Sequence, residues 1–387
     1  MQKCFNSGAI GTLWVVVILF APQPKVQAVT NTIPTLPVTS ITDVQLNNCL
    51  HYTYLPVIWG KVVLEQQKAH QPDEATGIVG TSYEEHTLDL PTTYLLAPDL
   101  LRKLEEVPII TSTLIYTEAT SLWEDPSPDP SGLDIFGPNS VIVSDSEVNE
   151  QGGRTTNLWI FDLVRRQVLS TTTTLINDIS TEPTDIALAE DGTLLITDDV
   201  HRQAIVTRLA ADGSLTKLHT FDTRTYGSAD PEGADFFTTA NHATQLVTAD
   251  GFSNMVYIHQ AGNNQLFDGP CAPNDDTIQR FNTEELGFLH SEGVFALPDE
   301  SGDGVTYYFV GNPDRHHIYV VYTAQAQATL VQMINIGELS KYKKMASIVV
   351  MPNSQIVLVF RGVDNVNNPD ENDGILAVIQ PAHTIKE

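Results

Sequence analysis

Positive charge is scarce in this sequence. Only 20 residues are Lys or Arg, against 48 that are Asp or Glu, so the formal net charge is −28. This balance excludes nucleic acid as a partner, because phosphates are bound by clustered basic side chains. The acidity fits a soluble extracellular protein or one that binds cations, although a solvated acidic surface accounts for the same charge.

Long apolar runs are also scarce. The run from Ala9 to Ala21 is too short for a typical membrane span, follows Lys3 and precedes a small-residue site, "VQA", at 26–28. These features predict a secretory signal peptide over residues 1–28. We therefore expect a secreted or periplasmic monomer with no membrane span in the mature chain.

Cysteine occurs three times, and Cys4 falls within the predicted signal peptide. Export makes a disulfide between the remaining Cys49 and Cys271 chemically possible. We predict that these two residues pair, and two buried free thiols are the alternative.

Several catalytic motifs are missing from the sequence. It contains no G-x-S-x-G, no H-E-x-x-H, no P-loop and no G-x-G-x-x-G. Serine-hydrolase, zincin and nucleotide-binding functions therefore have no support.

What the sequence does contain is a repeat of about 50 residues. Each unit opens with a dipeptide before an apolar strand, and successive openings lie 53, 48, 60 and 54 residues apart. A second and a third strand follow in every unit, and a fourth is visible in four of them. The openings are Ser131-Gly132, Thr184-Asp185, Glu232-Gly233, Glu292-Gly293 and Ala346-Ser347.

Four strands per unit at this period predict an all-β fold, a β-propeller of four-stranded blades over residues 111–387. The last unit lacks a fourth strand, and residues 111–118, "TSTLIYTE", are the candidate that closes the ring. Residues 74–86 resemble the opening of a further unit, so six blades are favoured and five are the alternative. Residues 29–40 read as a linker. Residues 41–110 form a less legible N-terminal segment with one predicted helix at 97–106, and this segment supplies one blade if there are six.

The repeat brings acidic residues together. In a propeller the first strand of each blade lines the channel, so the openings converge at one mouth and Glu232, Glu292 and Asp185 come close there. These carboxylates either hold a hard cation such as calcium or act as clasps that accept backbone hydrogen bonds. A second acidic or amide set ends the second strands: Asp145, Glu147, Asp198, Asp199, Asp250, Asn312, Asp314 and Asp364. Of these, Asp145, Asp198 and Asp250 are further candidate metal ligands.

Substrate-binding candidates are fewer. A phosphoester substrate requires basic groups at the mouth, and Arg202 and Arg315 are the candidates in a chain poor in bases. His290 precedes Glu292 by two positions and is placed to reach the same mouth.

Four stretches, "SPDPSGLDI", "EPTDIAL", "FDTRTYGSADPEGADF" and "RGVDNVNNPDENDG", carry a family resemblance. They are similar to propeller modules of secreted bacterial proteins in the gluconolactonase-like, NHL-repeat-like and phytase-like group, over about residues 115–380. In gluconolactonase-like enzymes the Glu of a Pro-Glu-Gly motif is a metal ligand, which implies that role for Glu232 in "PEG" and for Glu292 in "SEG". The chain departs from that pattern at Ser131, Thr184 and Ala346, where the acid or amide is missing.

The resemblance and the acidic openings together imply a function. We expect a secreted, calcium-stabilised propeller that serves as a binding or scaffold module for a small-molecule or extracellular ligand at its mouth. The alternative is a metal-dependent hydrolase of a lactone, ester or phosphoester, in which the cation polarises the substrate and activates water.

Overall fold

The computed structural model describes most of the predicted propeller. The described residues are 36–44, 104–146, 158–171, 176, 179–180, 182–271, 274–298, 306–312, 316–324, 326–362 and 373–382. Three strands precede the repeats: β1 (Val38–Ser40), β2 (Thr42–Asp43) and β3 (Ile109–Ala119).

Four consecutive groups of four strands follow, and each group is an antiparallel sheet, or blade. Blade I is β4 (Pro130–Gly137), β5 (Ser140–Asp145), β6 (Leu158–Asp162) and β7 (Gln167–Thr171). Blade II is β8 (Pro183–Leu188), β9 (Thr193–Asp198), β10 (Gln203–Leu209) and β11 (Leu215–Asp222). Blade III is β12 (Pro231–Thr238), β13 (Thr244–Asp250), β14 (Met255–Gln260) and β15 (Thr277–Asn282). Blade IV is β16 (Val294–Pro298), β17 (Thr306–Val310), β18 (His317–Ala324) and β19 (Gln327–Asn335).

Blade V takes its fourth strand from the N-terminal side of the chain. Its own strands are β20 (Met345–Val350), β21 (Ile356–Phe360) and β22 (Ile375–Pro381), and β22 pairs antiparallel with β3 from Ile375↔Ala119 to Pro381↔Ser112. The predicted closing strand at 111–118 is therefore confirmed. At its other end β3 also pairs in parallel with β19, so it joins blades IV and V.

The described residues form a ring of five blades. The first strands of successive blades contact one another in the order β4, β8, β12, β16 and β20, and β20 contacts β4 again. The expectation of six blades is therefore not confirmed, because this succession of inner strands already closes on five. The candidate sixth opening at 74–86 lies outside the described residues, as does most of the predicted helix at 97–106.

Burial explains the sequence pattern of the strands. The second strands β5 and β9 are buried on both faces, and only the first residue of each is not fully buried, whereas β17 alternates between buried and partly buried residues. The outer strands are more exposed, since one of their faces meets solvent: most of β11 is exposed or partly exposed, and buried residues recur between exposed ones in β15. The cores lie between neighbouring blades, where inward side chains of two sheets pack together.

Three short 3₁₀ helices complete the described elements: Thr120–Leu122, Thr223–Tyr226 and Gly337–Lys341. Within the described part of the chain, no helix is both long and apolar enough to span a membrane.

The N-terminal segment straps the outside of blades III and IV. Strand β1 pairs with β19 and strand β2 pairs with β15, and the Val44 N–H donates to the Ile278 carbonyl at 2.9 Å. Cys271 forms a disulfide whose partner lies outside the described residues. The pairing of Cys271 with Cys49, which lies outside the described residues, stays a prediction.

Candidate functional site

The predicted openings occupy equivalent places in the blades. Pro130, Pro183 and Pro231 begin the first strands of blades I to III and pair with Asp145, Asp198 and Asp250, which end the second strands. The opening dipeptides follow these prolines directly, so they gather at one end of the ring, which we call the mouth.

The three strand-ending aspartates share one local structure. Each accepts a hydrogen bond from a serine three residues before the proline: Ser127 to Asp145 at 2.7 Å, Ser180 to Asp198 at 2.8 Å, and Ser228 to Asp250 at 2.8 Å. Backbone N–H groups add to these bonds, for example Asp129 to Asp145 at 3.1 Å and Ala229 to Asp250 at 2.8 Å. A Ser-x-x-Pro stretch and an aspartate thus close the mouth end of each of these blades.

This hydrogen bonding bears on the sequence assignment. It gives Asp145, Asp198 and Asp250 a structural task, because a carboxylate that accepts local N–H and O–H groups fixes the loop that donates them. Their predicted role as metal ligands remains a prediction.

Asp185 has the contacts expected of a clasp. One of its carboxylate oxygens accepts from the Leu133 N–H at 3.1 Å and the Ile186 N–H at 2.8 Å, and the other accepts from the Ala234 N–H at 3.0 Å. It therefore links blade II to blades I and III. Burial raises the pKa of Asp185 well above its usual range, and the three amide donors oppose that rise.

Two further aspartates extend this linkage. Asp134 accepts from the N–H of Leu188 in the next blade, and Asp235 accepts from the N–H of Ala296 at 2.7 Å. Burial raises the pKa of Asp134 to about 7 and the pKa of Asp235 well above its usual range, with a further rise in Asp235 from the charge of Asp134. We call Asp134, Asp185 and Asp235 the aspartate belt.

Glu232 and Glu292 approach each other at the mouth through a third residue. Arg361 Nη2 lies 3.5 Å from Glu232 Oε2 and 3.6 Å from Glu292 Oε2. The side chains of Arg361, Glu232 and Glu292 are only 14%, 12% and 15% exposed. The cation between these carboxylates in the structure is thus a guanidinium supplied by blade V.

Two more carboxylates join this group. Asp199 and Asp230 each place a carboxylate oxygen so that, together with one from Glu232, the three ligand atoms lie within 4.8 Å of one another. Among the described residues Asp199 Oδ1 is buried without a hydrogen-bond partner. We call Asp199, Asp230, Glu232, Glu292 and Arg361 the mouth cluster.

The electrostatics of the mouth cluster are unbalanced. Burial raises the pKa of Glu232 well above its usual range, and Arg361 opposes that rise while Asp230 and Glu292 add to it. Burial, followed by the charge of Asp199, raises the pKa of Asp230 to about 7. Burial also raises the pKa of Asp199, against the effect of Arg361. Within the described part of the mouth cluster, four carboxyl groups thus face one guanidinium.

The backbone makes room for this arrangement at Gly251. A Cβ atom built there would lie 2.8 Å from Asp230 Oδ2 and 3.2 Å from Glu232 Cγ. Gly251 follows the strand-ending Asp250, as Asp199 follows Asp198 and Arg361 follows Phe360. The residue that follows the second strand is therefore an acid in blade II, a glycine that leaves space in blade III and a base in blade V.

Arg361 is held at this place by its own backbone. Its N–H donates to the Lys344 carbonyl at 3.0 Å, and the N–H of Gly362 donates to the Lys343 carbonyl at 3.2 Å. These bonds join the end of β21 to the loop before β20 and direct the residue toward the mouth.

The predicted substrate-binding residues lie differently from one another. Arg202 is exposed in the turn after β9, with a φ of 54°. His290 is partly buried, and its N–H donates to Asn254 Oδ1 at 2.8 Å. Arg315 lies outside the described residues. Their role in binding a substrate stays a prediction.

Sequence reasoning missed Asp230 and Arg361 as members of the site. Asp230 directly precedes "PEG", a motif that assigns the metal role to its Glu alone. Arg361 directly follows the second strand of blade V, and it is the basic residue at that place, where the other blades have Ser146, Asp199, Gly251 and Gly311. An alignment of the units at those strand ends would have singled it out.

The comparisons with known proteins concern the fold. No family model matches the chain, and no curated protein matches it. Similar solved structures include glutaminyl cyclase from Myxococcus xanthus, with 12% identity, 71% of this chain and 99% of that chain covered, and a TM-score of 0.41. The PQQ-bound aldose sugar dehydrogenase from Streptomyces coelicolor has 11% identity, covers 70% and 98% of the two chains, and has a TM-score of 0.43. These values assign no activity, and the propeller fold rests on the strand pairing described above.

Proposed function

We propose that this chain is a cation-binding β-propeller that serves as an extracellular binding or scaffold module. The observation that supports the proposal most is the convergence of Asp199, Asp230 and Glu232, whose ligand oxygens lie within 4.8 Å of one another. Carboxylates at this range repel unless protons or a cation lie among them, and Arg361 supplies one positive charge for four acids.

Calcium is the cation that we propose. All the donors are carboxylate oxygens, which suit a hard divalent ion, and Ca²⁺ accepts six to eight oxygens in flexible geometry. The buried Asp199 Oδ1, which has no hydrogen-bond partner among the described residues, is a donor that such an ion would satisfy. Asp199, Asp230 and Glu232 would hold the ion, and water or a ligand would complete its shell.

The surroundings of the cluster suit a ligand with an apolar part. Val200 follows Asp199 and is 44% exposed, and Phe252 follows Gly251 and is 64% exposed. Both belong to the turns that supply the cluster, so apolar surface borders the charged centre. The disulfide at Cys271 is consistent with a secreted or periplasmic location, because disulfides persist in oxidising compartments.

The test is thermal unfolding with calcium and with a chelator. Calcium should raise the Tm of the wild type, because the ion binds the folded state and not the unfolded one. Glu232→Gln keeps the shape, removes the charge and should abolish most of that increase. Glu338→Gln makes the same change on an exposed residue and should leave the increase intact.

A wild-type Tm that responds to neither calcium nor the chelator would contradict the proposal. The hydrolase alternative depends on the same ion, so turnover of a lactone or phosphoester that disappears in Glu232→Gln would favour it over a pure binding module. Calcium-dependent stability without any turnover would favour the binding module.

A further inference from the structure

The mouth cluster contains a cation of its own in Arg361. Its Nη2 lies at nearly the same distance from Glu232 Oε2 and Glu292 Oε2, 3.5 Å and 3.6 Å. Close charged hydrogen bonds of this type measure about 2.7–2.9 Å. Arg361 Nη2 therefore lies within ion-pair range of both glutamates, at distances longer than a close charged hydrogen bond.

Glu232 belongs to two groups at once. It faces Arg361, and it is also one of the three carboxylates whose oxygens lie within 4.8 Å of one another. A divalent ion among Asp199, Asp230 and Glu232 would thus share a carboxylate with a guanidinium. The two positive charges would repel at short range in a largely buried setting, where screening by water is weak.

We propose that Arg361 is a built-in competitor that lowers the affinity of the mouth for external cations. The inference rests on the function proposed above and concerns the regulation of the same site. In the absence of a bound ion, Arg361 offsets the repulsion between Glu232 and Glu292 and keeps the mouth folded. When an ion binds, Glu232 turns from the guanidinium to the metal, and this exchange weakens binding.

Arg361→Gln removes the competing charge. Calcium binding measured by titration calorimetry should become about tenfold tighter or more, since a positive charge has been removed from beside Glu232. Arg361→Lys is the matched control, because it keeps the charge at the same place and should retain an affinity close to that of the wild type.

A second variant separates this effect from net charge. The double change Arg361→Gln with Glu292→Gln removes one positive and one negative charge, so the mouth cluster keeps its net charge and is more readily folded than the single variant. Tighter calcium binding in this variant would support competition at Glu232. Unchanged or weaker binding in both variants, in a protein whose wild type binds calcium, would overturn the inference while leaving the proposed function standing.

The remaining outcomes are equally decisive. Calcium binding by Arg361→Gln but not by the wild type would support the competitor role and contradict calcium binding as the native function. Calcium binding by none of the proteins would overturn both.

Discussion

The aspartate belt and the mouth cluster are both sets of buried acids, yet their partners differ in kind. In the belt, Asp185 accepts three backbone N–H groups from three blades. In the mouth cluster, Glu232 faces a shared guanidinium and other carboxylates. Backbone donors are fixed in place and exchange with nothing, so the belt is part of the scaffold. Side-chain charges move and are replaceable by an ion, so of these two sets the mouth cluster is the one that we propose as a ligand site.

The largest effect that would test this comparison is expected at the belt. Asp185→Ala leaves three buried N–H groups without an acceptor and should lower the free energy of unfolding by about 3–5 kcal/mol. The loss should be the same with and without calcium. Urea unfolding measures it, and Asp191→Ala, at an exposed position, is the control. A loss that calcium restores would mean that the belt, too, belongs to a cation site.

A pH effect of somewhat smaller size is expected from Asp134. Its pKa is about 7 in the folded protein and near 3.8 when unfolded, so between these values only the folded state keeps the proton. Its contribution to stability should therefore fall as the pH rises through this window, by up to about 4 kcal/mol. Urea unfolding between pH 4 and pH 7.5 would show a flatter profile in Asp134→Asn than in the wild type. Equal slopes in the two proteins would contradict the assignment.

The smallest effect sharpens the comparison at the mouth. Gly251→Ala places a Cβ against Asp230 and Glu232 and should weaken calcium binding about tenfold by displacing ligands. Gly137→Ala is the control, because its Cβ would meet only a serine hydroxyl at the other end of β4. Calorimetry reports the affinity, and Tm without calcium should change little in either variant. An equal loss of calcium affinity in both variants would contradict the placement of the calcium site at the mouth.

Much of the fold was predictable because propeller blades repeat. The opening dipeptides of the five units occupy equivalent places, and the strand at 111–118 closes the ring as β3. The pair Asp212-Gly213 is typical of a hairpin turn, and Gly213 lies in the turn between β10 and β11 with a φ of 81°. The number of blades was harder to predict, since it depends on a weak match at 74–86, which lies outside the described residues and stays a prediction.

The site was predictable only in part. Glu232 and Glu292 were placed at one mouth by the repeat alone, but Arg361 comes from the end of a second strand in another blade. The belt shows a similar limit. Asp185 occupies the place in blade II that Gly132 occupies in blade I, whereas Asp134 lies two residues after Gly132. Residues two apart share a strand face. Side chains from different positions of the repeat can therefore lie close together. Such contacts depend on the directions of the side chains, and a repeat pattern in the sequence does not specify those directions.

The shared strand β3 also sets an order of events during synthesis. Its antiparallel partner is β22, and Ala119 pairs with Ile375, so β3 is made long before the strand that completes its blade. Until β22 emerges, β3 has no antiparallel partner and blade V consists of β20 and β21 alone. Interruption of translation before Ile375 would therefore leave an incomplete last blade, and the unpaired edges of β21 and β3 would be open to pairing with other chains.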